Sequence, residues 1–269
     1  MKVSRTYYSL CIIMLLFIVC SFSSSCSLNA EAREEFHKTY TVDSGTPVSV
    51  KNVNGSIRVS AWEKDYVDVY AVKKSRHGQD DLDKVKIEVY TNGELRIETE
   101  RLERRDHVSV EYTLKVPKNV PVKSLQSTNG SIQLTGTTGD SYILTTNGSL
   151  QVEDTDGCIE AQTTNGQIRI DSAAGISKVR STNGNIDVSF SKFTDDVDIS
   201  TTNGSVRLTI PENIHADIDM RTTNGQIKGN DLLMTVDEIS KKRLKGRIGS
   251  GGNALNVRTT NGGITIDSL

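Results

Sequence analysis

Seven copies of the triplet Thr-Asn-Gly, which begin at Thr128, constrain this 269-residue chain more than any other feature, and one isolated copy, Thr91-Asn92-Gly93, precedes them. Successive copies are separated by 18, 18, 18, 20, 21 and 37 residues, and the last gap is close to two units. A repeat of this length predicts a stacked array of small, similar units. The asparagines of the triplets are Asn129, Asn147, Asn165, Asn183, Asn203, Asn224 and Asn261.

Apolar residues recur at fixed positions on both sides of each asparagine. One column lies four residues before it, at Leu125, Ile143, Ala161, Val179, Ile199, Met220 and Val257. A second column lies three residues after it, at Ile132, Leu150, Ile168, Ile186, Val206, Ile227 and Ile264. Further apolar columns lie two residues beyond each of these, so apolar and polar positions alternate. Such alternation predicts two short strands per unit, each with one buried face.

A single unit has too few apolar residues to offset the backbone entropy lost on folding, so the units must stack. Stacking adds hydrogen bonds between strands and covers the open ends of the core. The repeated Thr and Asn side chains are expected to form polar ladders along the stack. The Asn-Gly pair is expected to supply the left-handed backbone conformation of a tight corner.

Two architectures fit the alternating columns. Asn-Gly is also the preferred two-residue turn of an antiparallel hairpin, so a meander of hairpins would show a similar pattern. Identical residues at the same register in unit after unit are what stacked rungs require, and this favours a parallel β-helix, or solenoid, with rungs of about 18 residues. We assign residues 118–269 to this solenoid and residues 33–117 to a less regular β-rich N-terminal part of the same all-β fold.

The N-terminus has the features of an export signal. Lys2 and Arg5 precede an apolar stretch that runs from Cys11 to Phe22, which is short for a membrane span. Cleavage after Ala32 predicts a signal peptide of residues 1–32. The alternative is a lipoprotein leader of residues 1–25 with acylated Cys26. Both alternatives place the protein outside the cytoplasm, and only the second attaches it to a membrane, through the lipid on Cys26.

Composition excludes several functional classes. The formal net charge is −2, which gives no general attraction to nucleic acid. Beyond the leader Cys158 remains, and Cys26 remains only under the lipoprotein alternative, which is too few for a disulfide framework. Four histidines are scattered along the chain without Cys or carboxylate at ligand spacing, so the spacing predicts no metal site and no cofactor. These histidines are His37, His77, His107 and His215.

Taken in order, several motifs resemble the putative-adhesin domain family, exported prokaryotic proteins of unknown function with a β-helix-like fold. The motifs are Val48-Ser49-Val50-Lys51-Asn52-Val53-Asn54-Gly55-Ser56-Ile57 with Trp62, Tyr112-Thr113-Leu114-Lys115-Val116-Pro117, the Thr-Asn-Gly rungs, and Lys245-Gly246-Arg247-Ile248-Gly249-Ser250-Gly251-Gly252. The resemblance covers nearly all of the chain after the leader. It implies a fold, a location in the cell envelope and, for some members, a link to envelope stress, but it implies no catalytic residues.

Carbohydrate-active enzymes with parallel β-helices gather carboxylates on one outer face. The candidates in this chain are Asp195, Asp196 and Asp198, or Glu153, Asp171 and Asp187. We interpret them as turn residues and solvated strand positions, because no carboxylate pair recurs beside a suitable acid, base or metal ligand. The sequence therefore predicts no catalytic residue.

Basic residues at outward strand positions predict a surface for an anionic ligand. They are Arg169, Arg180, Arg207, Arg221, Lys228 and Arg258, and the irregular insert adds Lys241, Lys242, Arg243, Lys245 and Arg247. The ligand would be an anionic envelope polymer or lipid headgroups. The alternative is an ordinary solvated face, since Glu160, Asp187, Asp198 and Asp219 are interspersed.

Threonine also precedes every repeated asparagine. An ice-binding array of threonines would need a second threonine row beside the first, whereas the next outward column holds Gln126, Leu144, Gln162 and Arg180. The function predicted from the sequence is a non-enzymatic envelope module, adhesin-like or linked to envelope stress, whose partner is an envelope component or another protein. The alternative is an enzyme that acts on an envelope or extracellular polysaccharide.

Overall fold

The computed structural model describes residues 31–103, 106–211, 213–229 and 233–268. Residues 1–30, which hold most of the predicted leader and Cys26, lie outside this range. In the described part the fold is all-β, as predicted, with one four-residue helix, α1 (Gln79–Leu82). No described helix is long and apolar enough to cross a membrane. The strands are β1 (Ala32–Thr41), β2 (Val48–Lys51), β3 (Ile57–Trp62), β4 (Tyr66–Ser75), β5 (Val85–Tyr90), β6 (Leu95–Arg101), β7 (Ser109–Pro117), β8 (Val122–Asn129), β9 (Ile132–Thr135), β10 (Ser141–Asn147), β11 (Leu150–Glu153), β12 (Cys158–Asn165), β13 (Ile168–Ala173), β14 (Gly175–Asn183), β15 (Ile186–Phe190), β16 (Val197–Asn203), β17 (Val206–Ile210), β18 (Ala216–Asn224), β19 (Ile227–Gly229), β20 (Met234–Ile239), β21 (Arg243–Ile248), β22 (Asn253–Asn261) and β23 (Ile264–Ser268).

Each Thr-Asn-Gly unit forms two strands that pair with the equivalent strands of neighbouring units. For example, β10 pairs in parallel with β12, with Asn147 opposite Asn165. Likewise β11 pairs in parallel with β13, with Leu150 opposite Ile168. The two strands of one unit do not pair with each other in the described chain, so the hairpin meander is wrong and the stacking is solenoid-like. A hairpin would pair the two strands of a unit with each other and antiparallel, whereas these strands pair in parallel with those of the neighbouring units.

The rungs build two long sheets. We call them the pre-Asn sheet, which holds the strands that end at the repeated asparagines, and the post-Asn sheet, which holds the strands that follow. The pre-Asn sheet has 12 strands in the order β20-β21-β18-β22-β16-β14-β12-β10-β8-β2-β6-β5. The post-Asn sheet has 11 strands in the order β1-β4-β7-β3-β9-β11-β13-β15-β17-β23-β19. The apolar columns of both sheets face each other across one continuous core.

The last rung is not last in space. Strand β22 pairs in parallel with β16 on one side and with β18 on the other, so the chain returns to insert its final rung between two earlier ones. The 37-residue gap in the repeat arises from this return. It contains the antiparallel hairpin β20–β21, which covers the end of the pre-Asn sheet through the pairing of β21 with β18.

The predicted inward columns are almost entirely buried. Ile143, Val179 and Ile168 have no exposed surface, and all members of the column before the asparagines are buried. In the column after them only Ile227 is half-buried, because β19 is the terminal strand of its sheet. Branched aliphatic side chains therefore fill the interior between the sheets, which accounts for the small share of aromatic residues.

The repeated asparagines form a continuous hydrogen-bonded ladder along one corner of the stack. The Asn147 Nδ2 donates to Asn129 Oδ1 at 2.7 Å, and Asn165 Nδ2 donates to Asn147 Oδ1 at 2.8 Å. The ladder continues through every rung and follows the spatial order, so Asn261 donates to Asn203 and Asn224 donates to Asn261. At the other end Asn129 donates to Asn54, which extends the ladder into the N-terminal part.

The glycines after these asparagines are needed for close approach rather than for a left-handed backbone. The expected positive φ occurs at Gly262 but at none of the six other repeat glycines. A Cβ built on Gly148 would lie 2.1 Å from the carbonyl oxygen of Gly130, and one on Gly184 would lie 1.9 Å from that of Gly166. The expectation of a left-handed corner is thus wrong for six of the seven repeat glycines. Glycine is needed there because stacked rungs bring these backbones too close for any side chain.

A second ladder lies inside the corner. The residue two positions before each asparagine is a buried Thr or Ser whose hydroxyl donates to a glycine carbonyl of the adjacent rung. Thr163 Oγ1, for example, donates to the Gly148 carbonyl at 3.0 Å. These bonds satisfy hydroxyl groups that the stack removes from water.

We expect Thr163→Val to lower the stability of the protein by about 1 kcal/mol, because the partly buried Gly148 carbonyl loses a donor. Thr164→Val is the matched control, since Thr164 is the next residue and faces solvent. Thermal unfolding followed by circular dichroism measures both variants. Equal melting temperatures would show that the inner ladder contributes nothing to stability.

Candidate functional site

The basic residues predicted to form one surface divide between two opposite faces. Arg169, Arg207 and Lys228 lie on β13, β17 and β19 of the post-Asn sheet. The other three belong to the pre-Asn sheet, where Arg180 lies on β14, Arg221 on β18 and Arg258 on β22. The division arises because each rung crosses from one sheet to the other at Asn-Gly, so outward residues before and after that corner point away from each other.

The post-Asn face is a mixed, solvated surface. Asp187 lies directly between Arg169 and Arg207 in the strand register. Arg169 also has Asp171 on its own strand, with 3.8 Å between the guanidinium and the carboxylate. Alternating charges of this kind give no concentrated positive field. Three catalytic candidates from the sequence lie on this face, and they are interleaved with cations and hydroxyl groups. They are Glu153, Asp171 and Asp187.

The pre-Asn face carries an open groove of about 840 Å³. Its floor consists of two outward columns of the rungs, which lie one and three residues before each asparagine. Because rungs are spaced about 4.8 Å apart, the side chains of each column form a regular row. The exposed lining residues are Thr146, Thr164, Arg180, Thr182, Thr202, Arg221, Thr223, Lys242, Arg258 and Thr260, and the half-buried ones are Leu144, Gln162, Ser200 and Arg243.

We call the groove-lining threonines directly before the asparagines the threonine row. It comprises Thr146, Thr164, Thr182, Thr202, Thr260 and Thr223, in spatial order along the groove. The row presents hydroxyl groups that can both donate and accept hydrogen bonds. The repeat pattern in the sequence contains this row, but it does not show that the row and the basic column beside it line one groove.

The hairpin β20–β21 forms the end wall of the groove. Its turn is attached to the last pre-Asn rung by a hydrogen bond from the Thr222 N–H to the Lys242 carbonyl, at 3.0 Å. A second hydrogen bond joins the Ile227 N–H to the Lys241 carbonyl at 2.9 Å. These contacts place Lys242 and Arg243 beside Arg221. Of the insert's basic residues, only these two line the groove within the described chain.

The groove is strongly cationic. Five basic side chains line it, and its lining within the described part of the chain includes no carboxylate. They are Arg180, Arg221, Lys242, Arg243 and Arg258. A concave surface lined by charges of one sign concentrates the field and attracts counter-ions. The lining of the groove differs in this respect from the post-Asn face, where Asp187 lies in the same column as Arg169 and Arg207.

Acidic residues outside the lining hold some of these cations in place. Asp219 accepts hydrogen bonds from Arg221, one of them from Nε at 2.8 Å, and also lies 3.7 Å from Arg243. The hydrogen bonds from Arg221 and the nearby charges of Arg243 and Arg258 lower the pKa of Asp219, so it stays ionised. Arg180 pairs with Asp198 at 3.5 Å. Arg258 forms no ion pair with any residue that the structure describes, so its charge is available to a ligand.

The remaining carboxylate candidates occupy structural positions. Asp196 accepts a hydrogen bond from the Ala254 N–H at 2.7 Å, which joins the turn before β16 to the inserted rung. Asp195 accepts from the Thr194 hydroxyl at 3.2 Å, and Asp198 pairs with Arg180. Cys158 is half-buried near this corner, and burial raises the pKa of its thiol. Asp195 and Asp196 thus have the contacts of turn residues, and Asp198 has those of a strand position on the surface.

Comparison with known proteins identifies a family and several solved structures that align with most of this chain. The Toastrack DUF4097 family matches residues 18–267. A "putative adhesin" from Bacteroides fragilis is 14% identical and aligns over 88% of this chain and 97% of its own, with a TM-score of 0.48. A "putative cell adhesion protein" from Clostridium sporogenes is 12% identical over 88% and 100% of the two chains, with a TM-score of 0.36. A "putative lipid binding protein" from Parabacteroides distasonis is 10% identical over 88% and 96%, with a TM-score of 0.35. No curated protein sequence matches the chain.

Proposed function

The chain belongs to the Toastrack DUF4097 family, and from that premise we propose that it is an exported, non-enzymatic module of the cell envelope that binds an extended anionic polymer in the pre-Asn groove. The observation that carries the proposal is the groove itself, in which five basic side chains lie beside a row of threonine hydroxyls. The proposed export rests on the N-terminal leader. The exported protein would be either soluble or anchored through a lipid on Cys26.

An extended polymer suits the groove better than a small ligand. The floor crosses six pre-Asn rungs, β10, β12, β14, β16, β22 and β18, so the same polar groups recur at intervals of about 4.8 Å. A chain with regularly repeated anionic and hydroxyl groups can contact several rungs at once, and each added contact increases affinity without a new binding site. A compact ligand would use only part of this array.

The cations are concentrated toward one end of the groove. Arg180 and the basic residues beyond it occupy the rungs nearest the β20–β21 hairpin, whereas the equivalent positions at the other end are Leu144 and Gln162. Exposed charges of this kind attract an anionic surface by about 1 kcal/mol each at physiological ionic strength. The hydroxyl end would then provide hydrogen bonds, and the cationic end would provide most of the electrostatic attraction.

We expect the double variant Arg180→Gln/Arg258→Gln to bind immobilised dextran sulfate at least about tenfold more weakly than the unaltered protein, since two groove charges are lost. Uncharged dextran should retain neither protein. Retention should also fall steeply as salt increases, because the contacts are made by exposed charges. The matched control is Arg169→Gln/Arg207→Gln, which removes the same charge from the opposite face and should bind as the unaltered protein does.

Isolated envelope fractions extend the test to natural material. Retention that survives lipid extraction and disappears in the groove variant supports a polymer ligand. Retention that lipid extraction abolishes would instead identify lipid headgroups as the ligand. Release of new reducing ends or unsaturated sugar would identify the protein as an enzyme. Either result overturns the proposal. Equal loss of binding in both double variants would show that net charge, and not the groove, causes retention.

A further inference from the structure

Two histidines that lie 30 residues apart in sequence meet at the N-terminal end of the stack. Strands β4 and β7 pair antiparallel, with Lys74 opposite Ser109. Antiparallel pairing places the segment that follows β4 beside the segment that precedes β7. His77 lies two residues after the end of β4, and His107 lies two residues before the start of β7, so their side chains become neighbours.

The two imidazoles are close and otherwise unused. Their ring centroids are 4.1 Å apart and the rings are nearly parallel, with an angle of 27° between their planes. Neither ring forms a hydrogen bond or ion pair with any other residue in the described parts of the chain. Both side chains are exposed at the edge of an open pocket of about 340 Å³, so an ion in solution can reach them. Two adjacent imidazoles repel each other when both are protonated, whereas neutral imidazoles are good metal ligands.

Asp81 completes the cluster. It lies in α1, and one ligand atom from each of Asp81, His77 and His107 can be chosen so that all three lie within 4.8 Å of one another. The Asp81 carboxylate is buried and held in position, since Oδ2 accepts hydrogen bonds from the Ser75 hydroxyl at 2.7 Å and from the His107 N–H at 3.1 Å. A carboxylate fixed in this way by neighbouring donors is typical of an ordered metal ligand.

We propose that His77, Asp81 and His107 bind one divalent cation of the zinc type. Two imidazoles and one carboxylate form a donor set that suits Zn²⁺, with water as the fourth ligand. Ligand distances of about 2.1 Å require the three atoms to approach slightly, which rotation of the exposed imidazoles permits. The site is independent of the pre-Asn groove, which lies at the other end of the stack.

One cation already competes for the site. The Lys84 ammonium lies 3.3 Å from Asp81 Oδ1 and 3.7 Å from a Glu103 carboxylate oxygen. Nearby Lys74 is paired with Glu111 at 2.9 Å. A bound metal ion would displace Lys84 from Oδ1, and Lys84 would keep Glu103 as its partner. Removal of the lysine charge should therefore strengthen metal binding rather than weaken it.

A bound ion would join two segments at the end of the stack. His77 and Asp81 belong to the loop and short helix after β4, and His107 belongs to the segment before β7. Metal that binds the folded chain more tightly than the unfolded chain raises the melting temperature. The cation would thus stabilise the N-terminal end of the solenoid, where the regular Thr-Asn-Gly rungs give way to irregular strands.

The test is isothermal titration of the untagged full-length protein with ZnCl₂. We expect one Zn²⁺ per chain, with affinity at least about tenfold lower in His77→Ala and in His107→Ala. Lys84→Gln should bind Zn²⁺ more tightly than the unaltered protein, a gain that misfolding cannot produce. His37→Ala is the matched control, because His37 is also exposed but pairs with Asp68 away from the cluster, and it should bind as the unaltered protein does.

Melting temperatures with and without Zn²⁺ provide a second measurement. The unaltered protein and His37→Ala should be stabilised by Zn²⁺, and the two cluster variants should not. Absence of stoichiometric binding overturns the proposal. Binding that persists unchanged in both His77→Ala and His107→Ala would place the ion elsewhere and would also overturn the proposal. A lower affinity of Lys84→Gln than of the unaltered protein would overturn it too.

Discussion

Replacing Gly166 with alanine is expected to lower the melting temperature by about 6 to 12 °C, which corresponds to about 3 kcal/mol for a chain of this size. A Cβ at this position would lie 2.0 Å from the carbonyl oxygen of Gly148 and 2.5 Å from its carbonyl carbon. Both are backbone atoms, so no side-chain rotation can relieve the overlap. Two rungs would have to move apart at the corner.

Separation of the rungs would weaken the hydrogen bonds that join them. The Gly148 N–H donates to the Asn165 carbonyl at 3.0 Å, and the Leu150 N–H donates to the Gln167 carbonyl at 2.9 Å. The side-chain bond from Asn165 to Asn147 crosses the same gap. One methyl group therefore disturbs three hydrogen bonds, which is why a large effect is expected from a small change.

Gly175→Ala is the matched control for this prediction. Gly175 also lies in the repeat region, its φ is not positive, and a Cβ built on it meets no atom within 4 Å. Alanine at such a position reduces the freedom of the unfolded chain, so stability should stay the same or rise slightly. The melting temperatures of both variants are measured by thermal unfolding followed by circular dichroism. A melting temperature of Gly166→Ala equal to that of Gly175→Ala would contradict the close approach of the rungs.

The register of the rungs could be predicted from the sequence because the repeat contains two periods at once. The spacing of the triplets identifies equivalent residues, and the alternation around Asn165 and its equivalents separates inward from outward positions. The order of the rungs could not be predicted in the same way. Strand β22 carries the same Thr-Thr-Asn pattern as β16 and β18, so nothing in the repeat specifies that it inserts between them.

The candidate sites were harder to predict for a related reason. Outward basic residues could be recognised, but Arg169 and Arg180 point away from each other because they lie in different sheets. The groove also depends on the β20–β21 hairpin, whose position follows from the insertion of the last rung. His77 and His107 come together only through the antiparallel pairing of β4 with β7, a long-range contact that no ligand spacing in the sequence indicates.

Replacing Ile168 with aspartate is expected to cost at least about 4 kcal/mol, or to prevent folding altogether. Ile168 has no exposed surface and lies in the middle of the post-Asn sheet, between Leu150 and Ile186 in register. Neither of these neighbours can donate a hydrogen bond or supply a positive charge to a buried carboxylate. The apolar contacts of isoleucine are lost at the same time, which adds to the cost.

Arg169→Asp introduces the same side chain one residue later and is the matched control. Arg169 is exposed, and its ion pair with Asp171 spans 3.8 Å in solvent, so its loss costs little. The new aspartate would face Asp187 on the neighbouring strand, and this repulsion costs at most about 1 kcal/mol. Melting temperatures should therefore differ by about 6 °C or more between the two variants. Equal values would overturn the assignment of inward and outward columns and, with it, the assignment of the threonine row and the basic column to one solvent-facing groove.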